Sequence, residues 1–153
     1  MSVVHHSAIC VTDVEESLRF WHEAMGFEVL MDHNFSADWP TLFNVPSSDL
    51  RAIFLGDPSN PDSGIVELID LQVTGLEREE NPTPRAGFML LSVMTDVAAT
   101  LERLAKLGLG GVPRRLTVSG VSMAVVHDPD GVMIELFDTK ASSNLEALRE
   151  SDA

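Results

Sequence analysis

The sequence predicts an α+β fold: two tandem βαβββ modules that curl side by side into a half-barrel, with helices outside and a concave cleft inside. Three observations carry this. Val11-Thr12-Asp13-Val14 recurs as Met94-Thr95-Asp96-Val97, an offset of 83 residues. Each copy runs from a strand into an amphipathic helical pattern and on into three more strand-like runs. Near the end of each copy, Gly64-Ile65-Val66-Glu67-Leu68 is echoed by Gly131-Val132-Met133-Ile134-Glu135-Leu136. A single four-stranded sheet cannot bury both of its faces, so two such modules should pair. The expected division is a first module over 3–71, a linker over 72–85, a second module over 86–138 and a polar tail over 139–153.

The elements follow in order. Val3 to Val11 reads as a strand, rich in β-branched residues. Thr12 or Asp13 caps a helix running to Met25, and Asp13, Glu15 and Glu16 suit its positive end. Val14, Leu18, Trp21 and Met25 recur at three- and four-residue steps and predict its buried stripe. Gly26 stops it. Phe27 to Met31 is the next strand, and Asp32 to Ser48 is less regular. Leu50–Leu55 and Gly64–Leu71 are strands joined by the turn-rich 56–63. After the linker, Phe88 to Met94 is a strand and Asp96 opens a helix to Leu107, with Val97, Leu101 and Leu104 buried. Arg114–Val118, Ser122–His127 and Val132–Phe137 are the last strands, and Asp128-Pro129-Asp130-Gly131 makes a tight turn before the final one.

Composition excludes several classes. The 153 residues carry 24 acidic and 10 basic side chains, a formal net charge of −14. Phosphate binding needs clustered Lys and Arg, so neither nucleic acid nor an anionic membrane surface is expected as a partner. Hydrophobic residues make up 44% of the chain, enough to fill a core. Cys10 is the only cysteine, which excludes an intramolecular disulfide and a cysteine zinc site. The N-terminus lacks the charge and apolar run of a signal peptide, and no run is long enough to span a bilayer. The expected setting is the reducing cytoplasm.

Three residues stand out chemically. Adjacent strand residues face opposite sides. His5 therefore shares a face with Val3, Ile9 and Val11, while His6 shares one with the small residues Ala8 and Cys10 and faces the cleft. Glu67 and Glu135 are acids inside apolar strands at matched repeat positions. Such charges need water, a partner or a metal. A symmetric four-residue turn would pair His127 with Val132 and turn it away from Glu135. Trp39, Phe43 and Phe35 are candidates for an apolar pocket wall, and Cys10 for a cleft-wall residue rather than a nucleophile. His22 and His33 read as structural or solvated.

Across about residues 3–138 the chain resembles the vicinal oxygen chelate superfamily, which includes glyoxalase I, methylmalonyl-CoA epimerase, extradiol dioxygenases and bleomycin-resistance proteins. The resemblance is carried by His6-Ser-Ala-Ile-Cys-Val-Thr-Asp13, by Ser17, Phe20 and Trp21, and by Asp128-Pro-Asp-Gly-Val-Met-Ile-Glu-Leu136. It implies a metal site with one ligand from the first strand and one from the last strand of each module. Carried over, these are His6, Glu67 and Glu135. The fourth place, seven residues before Asp96, holds Met89 where the family commonly has His, no His lies anywhere from 82 to 96, and Met89 is expected instead to line the substrate pocket at the rim of the site. A thioether is a poor ligand for a hard divalent ion. The resemblance thus implies either a three-residue divalent site of unspecified metal or a site without metal, in which one of two neighbouring carboxylates is raised in pKa and serves as acid or base.

The leading functional expectation is a glyoxalase- or epimerase-like lyase or isomerase. It would act on a small oxygen-bearing substrate by proton transfer, with Glu135 or Glu67 moving the proton and the enolate or enediolate stabilised by a divalent metal. The scarcity of cations disfavours a coenzyme A thioester, and the missing second His disfavours extradiol cleavage. Two alternatives stay open: a non-catalytic drug-binding protein of the bleomycin-resistance type, and a metal-free lyase or isomerase. The resemblance and the open sheet edges predict a homodimer.

Overall fold

The computed structural model describes residues 1–78, 86–118 and 120–138. The chain forms two compact units, Met1–Glu79 and Glu80–Ala153. The linker expected at 72–85 is thus described only to residue 78, and the polar tail from 139 lies outside the described residues.

Unit 1 contains strand β1 (His6–Cys10), helix α1 (Val14–Leu18) continued by a π-helical turn (Arg19–Ala24), β2 (Glu28–Ser36), the short helix α2 (Trp39–Phe43), β3 (Asp49–Gly56) and β4 (Ile65–Asp70). Its sheet has the order β1-β4-β3-β2, with β1 parallel to β4 and the other pairs antiparallel. Unit 2 contains β5 (Leu91–Thr95), α3 (Val97–Leu107), β6 (Arg114–Val118), β7 (Val121–His127) and β8 (Met133–Asp138). Its order, β5-β8-β7-β6, repeats the first with the same parallel and antiparallel pairs. The fold is α+β and built of two similar modules.

Each sheet buries one face against its helix. In unit 1, Ile9, Val11, Ile53, Leu55, Val66 and Leu68 are buried and share one face by strand alternation, and α1 packs on β4. In unit 2, Ala124, Val126, Ile134 and Leu136 do the same, and α3 packs on β7 and β8 through a stripe of Val97, Thr100, Leu101 and Leu104. Both helices begin where the repeat predicts. Asp13 and Asp96 are N-caps whose side chains accept from Glu16 N–H and Ala99 N–H, each at 3.0 Å. Gly108 closes α3 in the left-handed conformation, φ 68°.

The first helix departs from expectation. Ser17, Phe20, Trp21, Ala24 and Met25 are its buried residues, while Val14 and Leu18 are only half-buried. The cause is the π turn, in which Met25 N–H bonds the carbonyl of Phe20 at 3.0 Å, five residues back. The wider turn brings the adjacent Phe20 and Trp21 inward together. Two strand starts also move. The segment of Val3 and Val4 is exposed and β1 begins only at His6, and β5 begins at Leu91 rather than Phe88. β2 runs on to Ser36, through residues that read as irregular, and carries a bulge between Val29 and Met31.

Candidate functional site

The open face of unit 1 is set by sheet register. Ala8 of β1, Glu67 of β4, Phe54 of β3 and Met31 of β2 lie opposite one another across all four strands and so share a face. His6 and Cys10 flank Ala8 on that face, as the parity of β1 predicts. His6 Nε2 lies 3.1 Å from Glu67 Oε2, and the Glu67 side chain is only 13% exposed. Burial raises the pKa of Glu67 above the usual glutamate range. The nearby His6 and His5 pull it down less strongly.

His5 does not join the buried set of Ile9 and Val11. It stands exposed just before β1, and its Nδ1 lies 2.8 Å from Nδ1 of His6. Both rings approach Phe54, at centroid distances of 6.0 and 5.4 Å. Sequence reasoning missed His5 and Phe54. The alternation of β3 held the only signal for Phe54, because its facing strand was unknown.

Further along the same face the sheet turns apolar. Leu50, Ala52 and Leu71 are buried under Met31, Phe35, Trp39, Val45, Ile69 and Val73. The helix α2 supplies Trp39, whose indole N–H donates to the carbonyl of Phe35 at 3.4 Å and whose ring stacks on Phe43 at 5.5 Å. Phe43 is itself exposed. Asp38 caps this helix, and Pro40 fits its first turn. Sequence reading found these aromatics but not their helix. The described alternating positions of this face carry His6, Cys10, Glu67, His33 and Glu28 as ionisable groups, and no Lys or Arg.

In unit 2, Ser92, Glu135, Val125 and Arg114 lie opposite one another in the same way. Glu67 opposite Ala8 and Glu135 opposite Ser92 put β5 in register with β1 at an offset of 84, while the capping Asp13 and Asp96 keep 83. Unit 2 has one residue fewer between strand and helix. The position matching His6 is therefore Leu90, not Met89. Leu90 is half-buried, whereas Met89 is exposed. Leu90 offers no donor atom.

His127 also differs from expectation. It pairs with Met133, and Val125 pairs with Glu135, so His127 and Glu135 share a face. The connection is five residues long, not four. Asp128 N–H bonds the carbonyl of Val132 at 3.0 Å, and its carboxylate accepts from the N–H groups of Asp130 and Val132.

Two ligands of one divalent ion, each bonded at roughly 2.0–2.2 Å, lie about 3 Å apart. The 3.1 Å approach of His6 Nε2 and Glu67 Oε2 has that spacing, and imidazole with carboxylate suits a borderline divalent ion. Among the described residues, no three His, Cys, Asp or Glu side chains are gathered closely enough to hold a metal by themselves. The pair in unit 1 thus fits part of a metal site.

A doubled βαβββ array with a His–Glu pair on its open face defines a class of protein. Residues 3–136 match the Glyoxalase/Bleomycin resistance protein/Dioxygenase superfamily, and the chain belongs to it. It is 35% identical over 144 residues to the lactoylglutathione lyase-like protein terB of Aspergillus terreus, covering 87% of this chain and 73% of that one. The fold is shared with the trypanothione-dependent glyoxalase I of Leishmania major, at a TM-score of 0.69, 24% identity and full coverage of both chains. It is also shared with an antibiotic binding protein of Streptomyces sp. CB03234, at a TM-score of 0.55 and 24% identity over 90% of this chain and 96% of that one.

Proposed function

We propose that the protein is a glyoxalase- or epimerase-type lyase or isomerase, assisted by a divalent metal, that moves a proton on a small oxygen-bearing substrate. The observation that carries this is the His6–Glu67 pair, 3.1 Å apart on an otherwise mostly apolar face. Burial makes the Glu67 carboxylate more basic than a solvated one, which suits removal of a proton from a carbon beside a carbonyl. His6 sits against that carboxylate and fixes where the proton is received. Met31, Phe35 and Trp39 give the substrate an apolar wall and limit water. Glu135 holds the matched register position of unit 2 and is proposed to complete the set. His6, Glu67 and Glu135 would hold the ion; when bound, it would supply positive charge opposite negative charge developing on a substrate oxygen. With no Arg or Lys on the described strand positions of the unit 1 face, an uncharged substrate portion suits this wall better than a polyanion. The chain is proposed to act as a homodimer, in keeping with the exposed edge strand β6, where Leu116 and Val118 are bare.

A second reading is sequestration of a small molecule without turnover. Leu90 favours it, because a pure binding site has no need of a ligand there. Deuterium uptake separates the two. Protein purified without chelators is assayed for metal content and incubated in D2O with α-hydroxyketones and with the hemithioacetal of methylglyoxal and glutathione. Uptake at the carbon beside the carbonyl, abolished in Glu67→Gln, supports the enzyme. Binding of these compounds with no uptake in any would reject it in favour of sequestration.

A further inference from the structure

Of two adjacent ring nitrogens 2.8 Å apart, one must carry a hydrogen and the other a lone pair. His5 Nδ1 and His6 Nδ1 stand at that distance. The far nitrogen of His6, Nε2, faces the Glu67 carboxylate at 3.1 Å. A carboxylate accepts and does not donate, so Nε2 carries the hydrogen and Nδ1 of His6 is the bare atom. The hydrogen between the two rings then belongs to His5. We propose that His5 is a positioning residue: in the metal-free protein its Nδ1–H donates to His6 Nδ1 and His6 Nε2–H donates to Glu67, a directed chain His5→His6→Glu67, and with an ion on Nε2 the hydrogen of His6 would lie on Nδ1 and be donated to His5 Nδ1.

Phe54 backs the chain. Its ring lies beside both imidazoles, tilted 64° to His5 and 31° to His6, and it stands opposite Glu67 in the sheet. The His5 and His6 ring centroids are 5.1 Å apart with 86° between planes, and with Nδ1 and Nδ1 at 2.8 Å the two nitrogens meet nearly along the line of centres, so an in-plane N–H of one points at the in-plane lone pair of the other. The inference deepens the functional reading above, because it concerns the residue that reading places at the centre. It extends beyond His6 to a neighbour whose side chain adds a second hydrogen bond. Without it, His6 keeps one anchor at Glu67 and can pivot about that contact. An ion taken by His6 Nε2 would need that atom bare, so His6 would then carry its hydrogen on Nδ1 and donate it to His5 Nδ1; removal of such a supporting partner typically lowers metal affinity by about 10–100-fold.

Two variants divide the possibilities. His5→Phe keeps a ring against Phe54 and removes the partner nitrogen. His5→Asn keeps an amide that can donate or accept close to the place of Nδ1. Nitrogen-15 NMR of the metal-free protein, with both imidazoles neutral, should find His5 with its hydrogen on Nδ1, the less common form for an unconstrained histidine, and His6 with its hydrogen on Nε2. In His6→Phe, His5 should revert to the common form. Titration with zinc alone should show at least a tenfold weaker Kd for His5→Phe and a value near the unmodified one for His5→Asn. His5 found mainly as the Nε2–H form in the unmodified protein overturns the proposal, as does equal zinc affinity in all three proteins. If no form binds zinc, the metal reading fails, and the NMR result alone decides the role of His5.

Discussion

At the scale of single residues, Glu67 is the group whose behaviour is most constrained by its surroundings. Its folded pKa is raised by burial. A raised acid contributes stability that is present below its unfolded pKa and lost as the pH rises through the folded one. Glu67→Gln removes that loss. The variant is expected to be more stable than the parent at neutral pH, with the difference closing in acid below the ordinary glutamate range; urea unfolding at several pH values measures this. The same substitution removes the carboxylate that would take the proton, and turnover is expected to fall by about 10²- to 10⁴-fold. A variant that is both stabilised and inactive is what a group strained for function should produce. Asp32 shows the contrary sign. The Arg51 guanidinium donates two hydrogen bonds to it, at 2.8 and 2.7 Å, and lowers its pKa. This exposed pair contributes stability above the ordinary aspartate range and loses it as pH falls through the folded pKa.

At the scale of elements, register decides which residue does what. The one-residue difference between β1–α1 and β5–α3 moves the fourth ligand position from Met89 to Leu90. Leu90→His should build beside Glu135 the pair that His6 and Glu67 form in unit 1, and tighten binding of a divalent ion at least tenfold, about 1.4 kcal/mol. Met89→His should leave affinity unchanged, since Met89 is one step off in register and exposed. Calorimetric titration of both variants checks the assignment; a gain for Met89→His and none for Leu90→His would restore the offset of 83. The π turn has its own consequence. It drives Phe20 and Trp21 into the core as neighbours, both wholly buried and 5.2 Å apart. Truncation of either to Ala should cost about 3–5 kcal/mol, whereas Leu18→Ala, half-buried, should cost less than half as much. Chemical denaturation of the three variants tests whether the turn sets the buried stripe.

At the scale of the whole molecule, each unit carries a complete sheet with one helix-covered face and one open face. The open face of unit 2 presents Met94, Met123, Val125 and Phe137 around Glu135, and Leu116 stands exposed on the edge strand β6. Such edges and faces are normally covered. Light scattering is expected to give twice the 16.7 kDa chain mass, and Leu116→Lys is expected to lower that mass toward the single chain. A single-chain mass over a wide concentration range would remove the dimer from the functional proposal.

The repeat, the α+β class, the cap at Asp96, a first helix starting at Thr12 or Asp13, and the placing of His6 on the same strand face as Ala8 and Cys10 were all legible in the sequence by itself. Each depends on local periodicity: a short polar side chain before a helical run, or alternation along one strand. The matched register positions of Glu67 and Glu135, each in the sheet of its own unit, were legible from the repeat of the acid inside an apolar strand. The tertiary structure alone decided what depends on facing strands and on turn geometry. That is why His127 shares a face with Glu135, why Leu90 rather than Met89 matches His6, and why Ser17, Phe20 and Ala24 join Trp21 and Met25 in the buried stripe in place of Val14 and Leu18. A one-residue change in a connection leaves composition and periodicity untouched and yet turns every side chain beyond it to the other face.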